Sequence, residues 1–319
     1  MTIPRHLRRV VVTGAAGFIG SRLTQKLTEL GATVIAVDRR EPDTTPEGSD
    51  ALTQAIHITA DLRDCALEPL LIEADTVFHL AGQPGVRTSW AAGFRDYLAD
   101  NLLVTHRLAE CAAKLGVPRL VLASSSSVYG PTTGAPSRET DTVHPISPYA
   151  ISKLGAELLC TAHCGQAGHL TETVALRYFT VYGPGQRPDM LIHRALTAAL
   201  TGEPVQIYGT GQQRRDFTFV DDTVAATIAA ATCPTPPPVI NVGSGNAITL
   251  TDLFATINEV TGHPVPTNTA PFEQGDVTAT LSDPTLARQT LGWRANATLA
   301  FGIAQQWKSL NANLTVDRR

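Results

Sequence analysis

The first half of the chain alternates two kinds of segment, and that alternation restricts the fold more than any other feature. The runs RRVVVTG, TVIAVD, TVFHLAG, RLVLASS and TVALRYF are apolar on consecutive positions. Between them stand SRLTQKLTELG, NLLVTHRLAECAAKLG and ISKLGAELLC, whose apolar residues recur with a helical period. A strand that is apolar on both faces needs cover on both faces, and strand-helix-strand order supplies it in a parallel sheet wrapped by helices. An α/β, doubly wound parallel sheet is therefore expected over residues 1–179. From about Thr180 the alternation loosens into VYGPGQRPDM, CPTPPPV and TGHPVPTNTAP, rich in Gly and Pro. Residues 180–319 read mainly as a smaller C-terminal substrate-binding lobe over the carboxyl edge of the sheet. A segment at about 216–245 returns to the first domain.

Composition excludes several classes. At 319 residues the chain can bury a large core, and a charged fraction of 17% beside an apolar one of 43% argues against disorder. A net charge of -4 gives no reason to expect nucleic acid as a partner. No window of about 18 uninterrupted apolar residues occurs, so no membrane span is expected. Arg5, Arg8 and Arg9 before an apolar run imitate a signal peptide, but the glycines that follow argue against one. Cys65, Cys111, Cys160, Cys164 and Cys233 are odd in number and scattered, which suits a reducing cytoplasm. Cys160, His163 and Cys164 cluster on one helix without a distant second half, and they read as core or surface residues rather than as a metal site.

VVVTGAAGFIGSRL places Gly14, Gly17 and Gly20 between a strand and a helix. The tight turn needs the first, close approach of a pyrophosphate the second, and packing of helix on sheet the third. A glycine triplet alone is weak evidence. TVIAVD adds to it by ending in Asp38, eighteen residues past Gly20, where a carboxylate can accept hydrogen bonds from an adenosine ribose. The pattern is that of a Rossmann-type dinucleotide domain, and the carboxylate favours NAD over NADP. Arg39 and Arg40 follow directly, either as phosphate ligands or as a solvated loop face. Asp61 and Leu62, after a third short strand, fit an adenine pocket by position.

SPYAISKLGAELL then sets Tyr149 and Lys153 four residues apart at the start of a helix, on one face. A phenol, with a pKa of about 10, is a poor base near neutrality unless a cation stabilises the phenolate. Upstream, LASSSSVYG ends an apolar strand on Ser124, Ser125, Ser126 and Ser127, four hydroxyls that need partners if buried.

Together TGAAGFIG, DLRD, HLAGQPGVRTS, SSSSVYG, YAISK, RYFTVYGP and RRDFTFVDD resemble the extended branch of the short-chain dehydrogenase/reductase family, the sugar-nucleotide epimerases and dehydratases. The resemblance spans almost the whole chain. It implies that Tyr149 is the base, that Ser125 shares a proton with the sugar O4, and that Lys153 also binds the nicotinamide ribose. Phe18, Ile19 and Ala81 join the cofactor set by the same resemblance. The chemistry it implies is oxidation at C4 of a nucleotide-bound sugar to a 4-ketosugar, with NAD as acceptor. Relatives that eliminate water carry an Asp-Glu pair where Ser126 and Ser127 stand, and relatives that decarboxylate UDP-glucuronate carry Glu before Val-Tyr-Gly, where this chain has Ser127. Epimerisation needs neither.

Thr180 together with RPDM is similar to the UDP-glucuronate 4-epimerases. Arg187 would then face the C6 carboxylate, with Ser126, Ser127 and Thr180 as neutral donors around it. Arg187 paired with Asp189 is the competing reading. The resemblance also assigns Arg215 to the diphosphate, with Arg214 its less favoured neighbour, and Asp276 to the uridine ribose. Glu273 stands where relatives often have Arg. Arg87 and Ser89 line the sugar site or cap a helix. The expected function is 4-epimerisation of UDP-glucuronate to UDP-galacturonate. A UDP-glucose/UDP-galactose 4-epimerase is the alternative, and a UDP-glucuronate decarboxylase a further one. A homodimer formed through YLADNLLVTHRLAECAAKL and YAISKLGAELLCTAHC is implied as well.

Overall fold

The computed structural model describes residues 3–41, 54–132, 134–271 and 277–316. In chain order the strands are β1 (Arg9–Thr13), β2 (Thr33–Asp38), β3 (Ile56–Thr59), β4 (Thr76–His79), β5 (Arg119–Ser125), β6 (Glu172–Tyr178), β7 (Thr180–Tyr182), β8 (Val205–Tyr208), β9 (Arg214–Phe219), β10 (Val239–Val242), β11 (Ala247–Thr249) and β12 (Thr267–Ala270). Seven of them form a sheet in the order β10-β6-β5-β4-β1-β2-β3, parallel at every pairing. This is the Rossmann-type doubly wound fold.

The continuous apolar runs have a direct structural cause. Successive side chains on a strand point to opposite faces, and here both faces are covered. Val10 and Val12 join Leu23 and Leu27 of the Phe18–Glu29 helix, with Val224 of the Val220–Thr232 helix, in one buried cluster. Val11 points the other way, toward Leu108 and Ala112 of the Val104–Leu115 helix and Ala156 and Cys160 of the Pro148–Cys164 helix. β5 splits likewise, Val121 and Ala123 to the first face and Leu120 and Leu122 to the second. Burying each such Val or Leu is worth about 1.5–3 kcal/mol, so an out-of-register strand would forfeit several at once.

Strand order reverses direction between β1 and β4, which opens a crevice at their carboxyl ends. Within the expected return segment, β9 pairs with β7 and β11 in a three-stranded sheet, while the Val220–Thr232 helix and β10 rejoin the main layer. β8 and β12 form a separate pair. No described helix is long and apolar enough to cross a membrane, and no group of three His, Cys, Asp or Glu suited to a metal occurs among the described residues. Cys160 and Cys164 are buried in the second core cluster.

Candidate active site

The β1 to helix turn is built on Gly14, whose φ of +70° is a left-handed conformation and whose added Cβ would lie 2.7 Å from the backbone nitrogen of Ala81. A Cβ on Gly20 would lie 2.0 Å from the Gly14 carbonyl oxygen, so the helix packs on the turn only through glycine. Gly17 caps the helix, and no side chain covers its first N–H groups. Those groups and the helix dipole face a cavity of about 550 Å³.

Gly14, Gly17, Phe18, Ile19, Gly20, Asp38, Asp61, Leu62, Ala81, Tyr149 and Lys153 all line this cavity. Beneath it, Thr13 and Thr105 hold the two ring nitrogens of His79 at 2.8 and 2.9 Å, and the Thr13 hydroxyl also accepts from Ala81 N–H at 3.2 Å. Burial, aided by the charge on Lys153, pushes the His79 pKa down to about 3, so this ring is a neutral strut at physiological pH.

The Pro148–Cys164 helix delivers the next pair. Ser147 caps it by accepting the Ala150 N–H at 3.1 Å, and Pro148 occupies the first turn, where its missing N–H costs nothing. Tyr149 and Lys153 are one turn apart and both reach the cavity wall. Desolvation raises the Tyr149 phenol above its ordinary pKa, opposed by a hydrogen bond with Ser125. Burial lowers the Lys153 ammonium to about 8, opposed by the carboxylate of Glu157. Lys153 Nζ donates to the Ala123 carbonyl at 2.9 Å. The phenol is thus neutral at rest, with the charge of Arg187 pulling its pKa down, an arrangement suited to a base whose proton is lost when further positive charge arrives.

The four serines divide their work. Ser125 Oγ accepts the Ser127 N–H at 3.1 Å and donates to Ser127 Oγ at 3.0 Å, which winds Ser126–Tyr129 into a single tight turn. Ser124 lies on the cavity wall, and its hydroxyl donates to Glu157. Glu157 is also gripped by Arg177 from β6, at 3.0 and 2.9 Å, with both side chains 6% exposed. The Arg177 guanidinium stacks 4.8 Å over the Tyr129 ring, whose hydroxyl donates to Asn241 at 2.7 Å.

Arg187 lies on the cavity wall with Tyr149. It also pairs with Asp189, through Nε at 2.9 Å and Nη2 at 2.6 Å, which is the ion-pair reading made of it from sequence. Ser125, Ser126, Ser127, Thr180 and Arg215 are not on the wall of this cavity, although Ser125 reaches it indirectly through its hydrogen bond with Tyr149. Arg215 donates to the Arg214 carbonyl at 2.9 Å. Asp276 and Glu273 lie outside the described residues. Ser89 is fully buried and closes a local turn on Val86, while the Arg87 guanidinium sits 4.0 Å over the ring of Tyr208.

Residues 10–243 match the NAD dependent epimerase/dehydratase family. The chain belongs to that family. Among solved structures, this epimerase/dehydratase is similar to MoeE5 in complex with UDP-glucuronic acid and NAD, at 44% identity and a TM-score of 0.88, over 96% of this chain and 99% of that one. MoeE5 in complex with UDP-glucose and NAD matches at 43% identity and a TM-score of 0.89, with the same coverage. UDP-glucuronic acid 4-epimerase from Bacillus cereus, in complex with UDP-glucuronic acid and NAD, is 33% identical with a TM-score of 0.88, over 96% of this chain and 99% of that one. The uncharacterized UDP-glucose epimerase YtcB of Bacillus subtilis (strain 168) is 33% identical over 93% of this chain and 96% of its own length.

The cofactor of this epimerase/dehydratase is NAD, and the cavity fits it. A glycine cradle that any Cβ would fill faces an uncapped helix N-terminus, the requirement of a pyrophosphate. Asp38 stands at the end of β2 with one oxygen accepting Ala16 N–H and the other Arg40 N–H, both at 3.0 Å. Its remaining lone pairs suit a ribose diol. Arg40 is turned to the Ala16 carbonyl at 3.0 Å and Arg39 to Asp100 at 3.2 Å, so neither guanidinium waits for a 2'-phosphate.

Three contributors are absent from the sequence reading. Glu157 continues the Tyr149 and Lys153 face by one more turn, and Arg177 is a charge inside an apolar strand; each was a readable signal. Tyr97 presents its ring edge-on to Tyr149, centroids 6.1 Å apart, and its hydroxyl pairs with Thr88 at 2.6 Å. Nothing in its sequence neighbourhood singles it out.

Proposed function

We propose that this protein interconverts UDP-glucuronate and UDP-galacturonate by epimerisation at C4, through a 4-ketosugar that turns in the site before it is reduced on its other face. NAD, when bound, accepts a hydride from C4 and returns it. Tyr149 takes the O4 proton, with Ser125 bridging the two oxygens. Lys153 holds the developing phenolate by its charge and places the nicotinamide ribose. Gly14, Gly17, Phe18, Ile19 and Gly20 seat the pyrophosphate, Ala81 flanks it, and Asp38, Asp61 and Leu62 take the adenosine end. Ser126 and Ser127 cannot do the proton work of an elimination, and no glutamate precedes Val128 to assist loss of carbon dioxide.

One observation carries the choice of sugar: Arg187, a cation on the same wall as Tyr149. Asp189 fixes its fork from the outer side, and among the described residues nothing occupies Nη1, which leaves it to donate to a C6 carboxylate. Ser126, Ser127 and Thr180 supply neutral hydrogen bonds around that carboxylate. Arg215 and Asp276 complete the assignment at the diphosphate and the uridine ribose. The neutral-sugar alternative, UDP-glucose with UDP-galactose, is favoured by the MoeE5 complex with UDP-glucose and uses the same Tyr149, Lys153 and Ser125.

Product chromatography on both sugars separates the two readings. The wild-type protein is expected to convert UDP-glucuronate with the higher kcat/KM. Arg187→Leu should cost about tenfold or more on UDP-glucuronate and little on UDP-glucose, the weight of one charge-assisted hydrogen bond. Equal losses on the two sugars contradict the carboxylate assignment.

A second copy of this chain is the proposed partner. Leu98 and Leu103 are 43% and 49% exposed along the helical Phe94–Leu115 stretch, and Ile151 and Leu158 are 51% and 61% exposed on the Pro148–Cys164 helix. Apolar surface of that kind asks for cover. A monomer mass by light scattering contradicts it.

A further inference from the structure

The helical stretch before the Val104–Leu115 helix is wound as a π-helix over Leu98–Leu103, an uncommon geometry that recurs at functional sites. It carries Asp100, a cavity-lining residue whose side chain is 10% exposed. Three segments converge on that one carboxylate. Arg39, just past β2, reaches it at 3.2 Å, and Arg63, past β3, reaches it at 3.5 Å while its guanidinium is held closer by Asp61, at 2.7 Å. Gln83, past β4, donates to it at 2.7 Å. The neighbouring Asn101 accepts the Gln83 N–H at 2.6 Å and donates to Ser152 at 2.9 Å, on the helix of Tyr149.

The two arginines come from the side of the cavity that Asp38 and Asp61 define, and the carboxylate comes from the side tied to Tyr149. Arg39 and Asp100 both line the cavity, so their ion pair ties those two sides together, with Arg63 behind it on Asp61. We propose that Asp100 anchors a strap, made with Arg39 and Arg63, that retains NAD through the whole catalytic cycle. The inference rests on this cavity being the NAD site. Its chemical purpose follows from the reaction: if the reduced cofactor escaped while the sugar was a ketone, the hydride could not return and the ketosugar would be stranded. Arg39 and Arg63 are 45% and 38% exposed, so the pairs add little to folding and act instead on the rate at which the cavity opens.

The test is the release of NADH from the purified protein, followed by its fluorescence after mixing with excess NAD. Asp100→Asn keeps the shape and the Gln83 acceptor while removing the charge. Arg39→Ala removes an exposed arm and leaves the fold intact, so it carries the test even where Asp100→Asn does not fold. Each is expected to release NADH about tenfold faster or more, since losing one partner of a close charge pair acts on dissociation. Raising the ionic strength should speed release from the wild type more than from either variant. A wild type that holds the cofactor, with Arg39→Ala and any folded Asp100→Asn releasing it at the wild-type rate, overturns the strap alone. A wild type that never holds the cofactor overturns the assignment of the cavity.

Discussion

Tyr149→Phe is expected to lower kcat about 10²- to 10⁴-fold, the usual weight of a positioned general base, while NAD stays bound and KM for the UDP-sugar changes little. The phenol lines the cavity, pairs with Ser125 and stands one helical turn from a buried ammonium. The pH dependence has a definite sign. Desolvation raises the Tyr149 pKa, so the base form needs nearby positive charge. Lys153→Ala withdraws part of that charge, raises the phenol further, and moves the rising limb of the rate profile to higher pH. At the alkaline end, Lys153 loses its own proton as the pH passes about 8, so its support fades there in the wild type. Rate profiles measured with saturating NAD check both statements. A Tyr149→Phe variant that keeps most of its turnover removes the phenol from the mechanism.

Glu157→Ala should be the most destabilising single change around the site, costing about 3–5 kcal/mol, because it leaves Arg177 charged and buried without its partner. The pair is 6% exposed on both sides and bidentate, and Arg177 Nη1 already lacks a hydrogen bond. Ser124 loses its acceptor in the same stroke, at the end of β5 and next to Ser125. Replacing both partners by apolar residues of similar volume, Glu157→Leu with Arg177→Met, should recover most of the stability. Urea unfolding of the wild type and the two variants decides the matter. A loss below about 1 kcal/mol in the single variant would show that the buried pair is replaceable by water.

Much of this architecture can be read from the residues because its physics is local. β1, β2, β4, β5 and β6 are uninterrupted apolar runs, and only burial on both faces explains such runs. The glycine turn is readable for a related reason: Gly14 and Gly20 meet backbone atoms that exclude any Cβ. What is not readable depends on contacts made across long sequence separations. The Asp100 cluster joins residues 39, 63, 83 and 100, and no spacing rule links them. The π-helical turn that carries it has the same apolar pattern as an α-helix. Arg187 illustrates a different limit, because sequence offered a carboxylate ligand or an ion pair as alternatives, and only the folded chain shows the guanidinium forked onto Asp189. In the lobe, β8 and β12 are short and lie among Gly- and Pro-rich loops, where neither period is long enough to register.

The central claim is that the same hydride leaves C4 and returns to its opposite face. UDP-glucuronate carrying deuterium at C4 measures it directly, with product analysed by mass spectrometry and proton NMR. The account predicts UDP-galacturonate that keeps its deuterium at C4, with none appearing in added free NAD. Product that carries a solvent hydrogen at C4, or the absence of any C4 epimer from either UDP-sugar, contradicts it.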